Sequence, residues 1–442
     1  MKTFLCISSF FICLFAEAKD PLDYATISLY AVHIPTGKVL IDENSQKSLI
    51  PASTMKIVTT AAALHVLGPE TQFQTDLAYD GEIKEGVLHG NLYVIGGGDP
   101  CLGSDRTSSS LSWKNQIEAW VLSVQNLGIQ EIKGKVVGDA SKWEKALAVP
   151  DWSFEDLGNY YGAGACALSF HENAYSLVFK PGESEGSNAS ILKTDPFLSD
   201  LEIHNEVKTG PIGSGDRACV YGMEFSSVQY VRGTIPAGVL EFSIKGAIPN
   251  PPLACAQLLE KGLFDKGIFV RSEKVVEGEK KRFYITVSPK VSEIVRFVNQ
   301  YSINLYAEHL LKKMGEMSQG EGSTLAGIKV VEQFLKQKKI DQMGMRIADG
   351  SGLSKRNLIT AQQLVALLLE MKKSEFYSLF LDSLPEVRDG VRAKSGTMSL
   401  VRGCVGYAKD VAFAILINQC VDSKRSKEKI DDFLFFILEN SK

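Results

Sequence analysis

The sequence predicts an α+β fold in which one domain is interrupted by a large β-rich insertion. Three observations predict it. The chain opens on a hairpin followed by a buried helix. It closes on a helical block, three consecutive strands and a last helix. Between these ends, short apolar runs alternate with glycine turns, a β texture foreign to the flanks.

The elements follow in order. Ile27 to His33 and Lys38 to Asp42 flank Pro35-Thr36-Gly37 and form the opening hairpin. Pro51 starts a helical stretch through Leu67, stopped by Gly68-Pro69. Its alanines and β-branched residues predict burial on most sides. From about residue 76, runs such as Leu92 to Ile95, Val239 to Ile244 and Phe283 to Val287 are expected strands, and Gly182 to Ser190 an exposed loop. Ser302 to Met314, Ser323 to Lys336 and Thr360 to Lys373 carry apolar residues at helical spacing. Val391 to Thr397, Cys404 to Ala408 and Val411 to Ile417 are expected strands, and Lys427 to Glu439 a closing helix. The main domain is therefore placed at residues 19–75 and 284–442. An inserted domain is placed at 76–175 and 246–283, and a second inserted β-rich subdomain at 176–245.

The chain has 442 residues, 45% hydrophobic and 23% charged, with a net charge of −4. That length allows two or three domains, and the charge gives no support to nucleic-acid binding. Residues 1–18 have the form of an export signal. Met1-Lys2 is a short basic start, Thr3 to Phe15 is apolar, and Ala16-Glu17-Ala18 is a small-x-small cleavage pattern. The apolar run is shorter than the about 20 residues a membrane span needs. The alternative is an uncleaved anchor. The expected location is outside the cytoplasmic membrane, periplasmic or elsewhere in the cell envelope. Beyond residue 18 stand Cys101, Cys166, Cys219, Cys255, Cys404 and Cys420, as disulfides or as buried thiols. The spacing selects no pairing. There is no C-x-x-C pair and no H-E-x-x-H, so neither metal nor cofactor is expected.

Three short patterns carry chemistry. In Ser53-Thr54-Met55-Lys56, positions i and i+3 share a helix face, so a hydroxyl and an amine can meet. Serine is a poor nucleophile without a base, and lysine is a base only if burial or a neighbouring cation lowers its pKa. The same spacing at Ser190/Lys193 and Ser426/Lys429 lies in a polar loop and a charged run, without a buried helix behind it. The second pattern is Ser302-Ile303-Asn304, where helix capping is the ordinary explanation. The third is Lys394-Ser395-Gly396-Thr397 at the head of the strand meander. Lysine and hydroxyls there can hold a carboxylate, and glycine lets a substrate backbone approach. Lys208-Thr209-Gly210 repeats the spacing inside the insertion, ahead of Ser302. Gly182-Glu183-Ser184-Glu185-Gly186 fits G-x-S-x-G but lacks the apolar helix that a hydrolase elbow requires.

Taken in order, S-x-x-K, S-x-N and K-[ST]-G resemble the active-site motifs of penicillin-binding proteins and serine β-lactamases. Pro51-Ala52-Ser53-Thr54-Met55-Lys56, Gly96-Gly97-Gly98-Asp99-Pro100, Ser302 to Leu311 and Asp349 to Ser354 with Asn357 narrow the resemblance. They are similar to the class C low-molecular-mass penicillin-binding proteins, the D-alanyl-D-alanine carboxypeptidase/endopeptidase family. The long insertion between the first two motifs is similar too. Two positions depart from the family's usual pattern: Ile303 stands where Asp is common, and Ser395 where Thr is common.

The resemblance implies a penicillin-binding, β-lactamase-like transpeptidase domain, an antiparallel sheet with helices. It implies Ser53 as nucleophile, Lys56 as base and Ser302 as proton relay. Asn304 would bind the substrate amide, and Lys394, Ser395 and Thr397 its carboxylate, with Gly396 between them. The backbone N–H groups of Ser53 and Thr397 would form an oxyanion hole. Asp156, in Asp151-Trp152-Ser153-Phe154-Glu155-Asp156, either contacts the amino group of a diamino-acid side chain or is an ordinary surface acid. Asp349 to Ser354 is expected to be a structural turn beneath the site. Expected partners are peptidoglycan peptides, with β-lactams as covalent inhibitors. Oligomeric state, membrane-surface contact and preference between carboxypeptidase and endopeptidase stay open. The rival functions are a serine β-lactamase and a non-catalytic peptidoglycan-binding protein.

Overall fold

A computed structural model describes residues 20–440. The expected export signal at 1–18 lies outside the described residues. The main domain is built on a six-stranded antiparallel sheet. Its strands are β1 (Thr26–His33), β2 (Lys38–Glu43), β3 (Glu386–Arg388), β4 (Val391–Met398), β5 (Val401–Ala408) and β6 (Val411–Asn418). The spatial order is β3-β4-β5-β6-β1-β2. The first strand therefore lies beside the last, with Thr26 opposite Asn418 and His33 opposite Val411. Every residue of β6 is buried, as its apolar run without alternation requires.

One face of the sheet is covered by the terminal helix, Ser423–Glu439, whose Phe433, Leu434 and Ile437 pack on Phe413 and Ile415. The other face carries the helical block. Its centre is α1 (Lys56–Val66), buried from Lys56 through Leu64. Around it lie α2 (Val291–Tyr301), α3 (Asn304–Gln319), α4 (Thr324–Gln337) and α5 (Ala361–Lys372). Ala61, Ala62 and Ala63 keep α1 thin enough to be surrounded. Thr360 caps α5 by accepting the Gln363 N–H, and Ser323 caps α4 by accepting that of Ala326.

The inserted portion holds four small sheets. One pairs Gln74–Tyr79 with Lys281–Val287, so this strand pair spans both of the expected domain boundaries, 75/76 and 283/284. Two further sheets, of three strands each, lie within 174–247. The insertion also contains two helices that the β-rich reading left out, Trp113–Asn126 and Pro251–Asp265. Their signals were present. Ser112 and Asn250 accept cap bonds, and Ile117, Trp120, Val121 and Val124 recur at helical spacing.

Other local expectations shift. The helix expected from Ser302 begins at Asn304, while Ser302 itself is left-handed at φ 57° between α2 and α3. Ser190 belongs to a strand, Ser190–Asp195, and not to a loop. A β-bulge between Ile191 and Lys193 interrupts its pairing with the strand Ala174–Lys180. All six cysteines among the described residues are free thiols, five of them buried.

Insertion and main domain are tied together by a buried cation. Lys312 on α3 donates to the carbonyls of Ala146 (2.8 Å) and Ala165 (2.9 Å) and pairs with Glu144 at 3.1 Å. Its side chain is 2% exposed. Lys312→Met would strand two carbonyls and leave the Glu144 carboxylate with the Thr324 N–H but without its cation. The expected loss is about 3 kcal/mol of unfolding free energy, read from urea unfolding. A loss below about 1 kcal/mol would mean that the cation is not the tie.

Candidate active site

The chain reaches Ser53 through a tight bend. Ala52 is left-handed at φ 48°, a region that non-glycine residues seldom occupy. Ala52–Met55 is a single 3₁₀ turn leading directly into α1. Two glycines press on this turn from outside. A Cβ on Gly352 would lie 1.9 Å from the Ala52 carbonyl oxygen. One on Gly396 would lie 2.7 Å from the Pro51 oxygen and 3.1 Å from the Ser53 nitrogen. Strand β4 and the 349–354 loop thus fit against the turn only because both positions lack a side chain.

Lys56 is fully buried one helical turn beyond Ser53. Its Nζ lies 3.1 Å from Ser53 Oγ, 2.6 Å from Asn304 Oδ1 and 2.6 Å from the Ser351 carbonyl oxygen. The amide of Asn304 is oriented from the other side, where Nδ2 donates to the Tyr161 carbonyl at 2.8 Å. This fixes Oδ1 toward the amine. Ordinary capping does not account for the Ser302–Asn304 pattern. The residue at the N-cap of α3 is Ile303, which makes no side-chain cap bond and packs on the main core.

A neutral amine has two N–H groups and one lone pair. Asn304 Oδ1 and the Ser351 carbonyl can only accept, so they take the two N–H groups. The lone pair is left for the hydroxyl hydrogen of Ser53. Burial, and then the Lys394 cation, bring the Lys56 pKa down to about 7, against the opposing pull of Asp349 and Glu308. Lys394 on β4 is itself buried and donates to the Ser395 carbonyl at 2.8 Å. Burial lowers its pKa to about 8.

A cleft of about 390 Å³ opens over this cluster, lined by Ser53, Asp156, Tyr161, Ser302, Asn304 and Thr397, together with Cys219 and Lys355. The three motifs therefore converge. Lys56 and Lys394 sit beneath the cleft, while Ser395 is exposed and outside its lining. Asp156 is half-buried. Burial and the Glu155 carboxylate raise its pKa, while Lys355 and Tyr161 oppose the shift. Among the described residues no group of His, Cys, Asp or Glu side chains could hold a metal ion.

Several residues outside the three catalytic patterns also build the site. Asp349 accepts from the Gly352 amide (2.7 Å), the Ser354 amide (2.6 Å), Asn357 Nδ2 (2.7 Å) and, from the insertion, Trp152 Nε1 (2.9 Å). Glu308 on α3 accepts the amides of Gly350 (3.1 Å) and Ser351 (2.7 Å). The turn at 349–354 is therefore a backbone frame that presents the Ser351 carbonyl to Lys56. Its sequence suggested a turn but not that its carbonyl would grip the amine. Tyr161 acts through its backbone and Cys219 through position, neither of which a side-chain pattern reveals.

The sequence matches the D-Ala-D-Ala carboxypeptidase 3 (S13) family over residues 14–437. It is 28% identical to the D-alanyl-D-alanine carboxypeptidase of Actinomadura sp. (strain R39), covering 91% of this chain and 80% of that one. Identity to the D-alanyl-D-alanine carboxypeptidase DacB of Haemophilus influenzae is 22%, covering 89% and 85% of the two chains. The fold is similar to the crystal structure of Haemophilus influenzae penicillin binding protein 4 (dacB). The TM-score is 0.76 at 21% identity, over 90% of this chain and 91% of the other. The same protein complexed with a β-lactam gives a TM-score of 0.72 over 91% and 92%. With the family match running nearly end to end, the chain belongs to the D-Ala-D-Ala carboxypeptidase 3 (S13) family.

Proposed function

We propose that the protein is an exported serine hydrolase that cleaves beside a D-alanine in peptidoglycan stem peptides or cross-links through a Ser53 acyl-enzyme. One observation carries the reading. The buried Nζ of Lys56 has two obligate acceptors at 2.6 Å and the Ser53 hydroxyl at 3.1 Å. That arrangement suits a neutral amine acting as base. Family membership supports the substrate class, and the apolar leader supports export. Among the described residues no helix is long and apolar enough to cross a membrane.

Lys56 takes the Ser53 proton as Oγ bonds to the substrate carbonyl carbon. The carbonyl electron pair moves onto oxygen, where the N–H groups of Ser53 and Thr397 receive it. Ser302 passes a proton to the leaving amine as the C–N bond breaks. Asn304 binds the substrate amide, and Lys394, Ser395 and Thr397 attract the terminal carboxylate. Gly396 admits the substrate backbone to the edge of β4. Asp156 lines the cleft and would meet an amino group on the substrate side chain. Water then hydrolyses the ester and frees Ser53. A β-lactam acylates the same hydroxyl as its ring C–N bond breaks; the amine stays attached to the acyl group, and the acyl-enzyme persists.

Three outcomes follow from this chemistry. Ser53→Ala is expected to lower turnover of a D-Ala-D-Ala peptide by about a millionfold and to abolish labelling by penicillin, read by intact mass. Full labelling of that variant would remove Ser53 from the mechanism. Acylation by penicillin is expected to fall as pH drops through about 7, because the ammonium form of Lys56 is no base. In Lys394→Met the cation that destabilises this ammonium is gone. The Lys56 pKa then rises, and the acid limb of the acylation profile should move to higher pH; movement the other way would exclude Lys394 as the tuning charge.

A further inference from the structure

We infer that Glu308 is a positioning residue for the acylation step: from within α3 it holds the 350–351 backbone so that the Ser351 carbonyl stays on Lys56. The inference rests on the assignment of Ser53 as nucleophile and Lys56 as its base. Glu308 lies one turn beyond Asn304 on α3, on the same helix face, and is 1% exposed. Both of its oxygens lie 3.1 Å from the Gly350 amide, and one accepts the Ser351 amide at 2.7 Å.

The same two residues are held from the other side by α1. The Gly350 carbonyl accepts Thr59 Oγ1 at 2.6 Å, and the Ser351 carbonyl accepts Lys56 Nζ at 2.6 Å. The 350–351 segment is thus gripped by a carboxylate through its N–H groups and by the catalytic helix through its oxygens. A carboxylate on the N–H side polarises the adjoining peptide units and strengthens their carbonyls as acceptors. Asp349 differs in kind. Three of its four bonds stay within the 349–357 turn and shape the turn itself. Glu308 reaches the turn from another element and fixes it relative to α1.

The charges facing Lys56 are Lys394 from β4, Asp349 from the turn and Glu308 from α3. Glu308 in turn faces Asp349, and burial together with that carboxylate pushes its pKa upward. Lys312, one turn further along α3, points away to Glu144. Lys394 favours the neutral amine, and the two carboxylates favour the ammonium. Glu308 therefore opposes Lys394 across the same nitrogen while supplying the geometry that the nitrogen needs.

The test is the pH profile of penicillin acylation, with the adduct mapped by peptide mass. Glu308→Gln keeps an oxygen for the Ser351 amide and removes the charge. Its acid limb should move to lower pH with the adduct still on Ser53. A purely structural glutamate would change the rate at every pH and leave the limb in place, which would overturn the inference. Glu308→Ala removes the charge and also releases the turn, so its acid limb should move to lower pH and its plateau rate should fall by about 10–100-fold. Should the glutamine protein not fold, Glu308→Asp replaces it. A shortened carboxylate draws the Ser351 carbonyl back, so slower acylation with an unshifted limb is expected, and a wild-type rate overturns the proposal. An adduct on any residue other than Ser53 would instead sink the underlying assignment, which keeps the two failures distinct.

Discussion

The structure depends on keeping one lysine amine dry. Lys56 has no solvent exposure, and its Nζ is enclosed by Ser53 Oγ, Asn304 Oδ1 and the Ser351 carbonyl. Burying an ammonium without full compensation is unfavourable, and a protein commonly responds by neutralising it. Here two obligate acceptors take the two N–H groups of a neutral amine, which leaves its lone pair for the Ser53 hydroxyl. The second cation, Lys394, adds to the bias, while Asp349 and Glu308 restrain it. The pKa of about 7 is the balance of those opposing effects, which suits a group that must take a proton and give it back.

Much of the remaining architecture serves that enclosure. The helix carrying Lys56 is surrounded, which its three consecutive alanines permit. Strand β4 closes one side because Gly396 leaves space beside Pro51 and Ser53, and the 349–354 turn closes another because Gly352 does the same beside Ala52. Left-handed backbone at Ala52 and Ser302 marks the two corners where the chain turns to present a hydroxyl-bearing residue. Such conformations persist only where the surroundings hold them, and at Ala52 strand β4 and the 349–354 turn do so.

The insertion is part of this machinery. Tyr161 orients Asn304 through its carbonyl, and Trp152 donates to Asp349. Both come from the same short segment that carries Asp156 to the cleft. Lys312 fastens the chain on either side of that segment to α3. A chain that folded the main domain alone would keep the three motifs but lose the contacts that aim one amide and brace one carboxylate.

The order and spacing of Ser53, Lys56, Ser302, Asn304 and Lys394 were legible in the sequence, because helical and strand periodicity are local properties. So were the strand meander, most helices and the turn at 349–354. The two long helices of the insertion were overlooked because glycine turns dominate the texture around them. Only the folded chain decided that β1 pairs with β6, and that Asn304 meets an amine 248 positions earlier. It alone decided that Ser351, Tyr161 and Glu308 belong to the site. Ser351 and Tyr161 take part through backbone atoms, and Glu308 through burial beside a turn from another element. A one-dimensional pattern records side-chain types and their separations; it holds no information about which carbonyl ends up facing a buried nitrogen, nor that Lys56 is buried beside Lys394, which together lower its pKa.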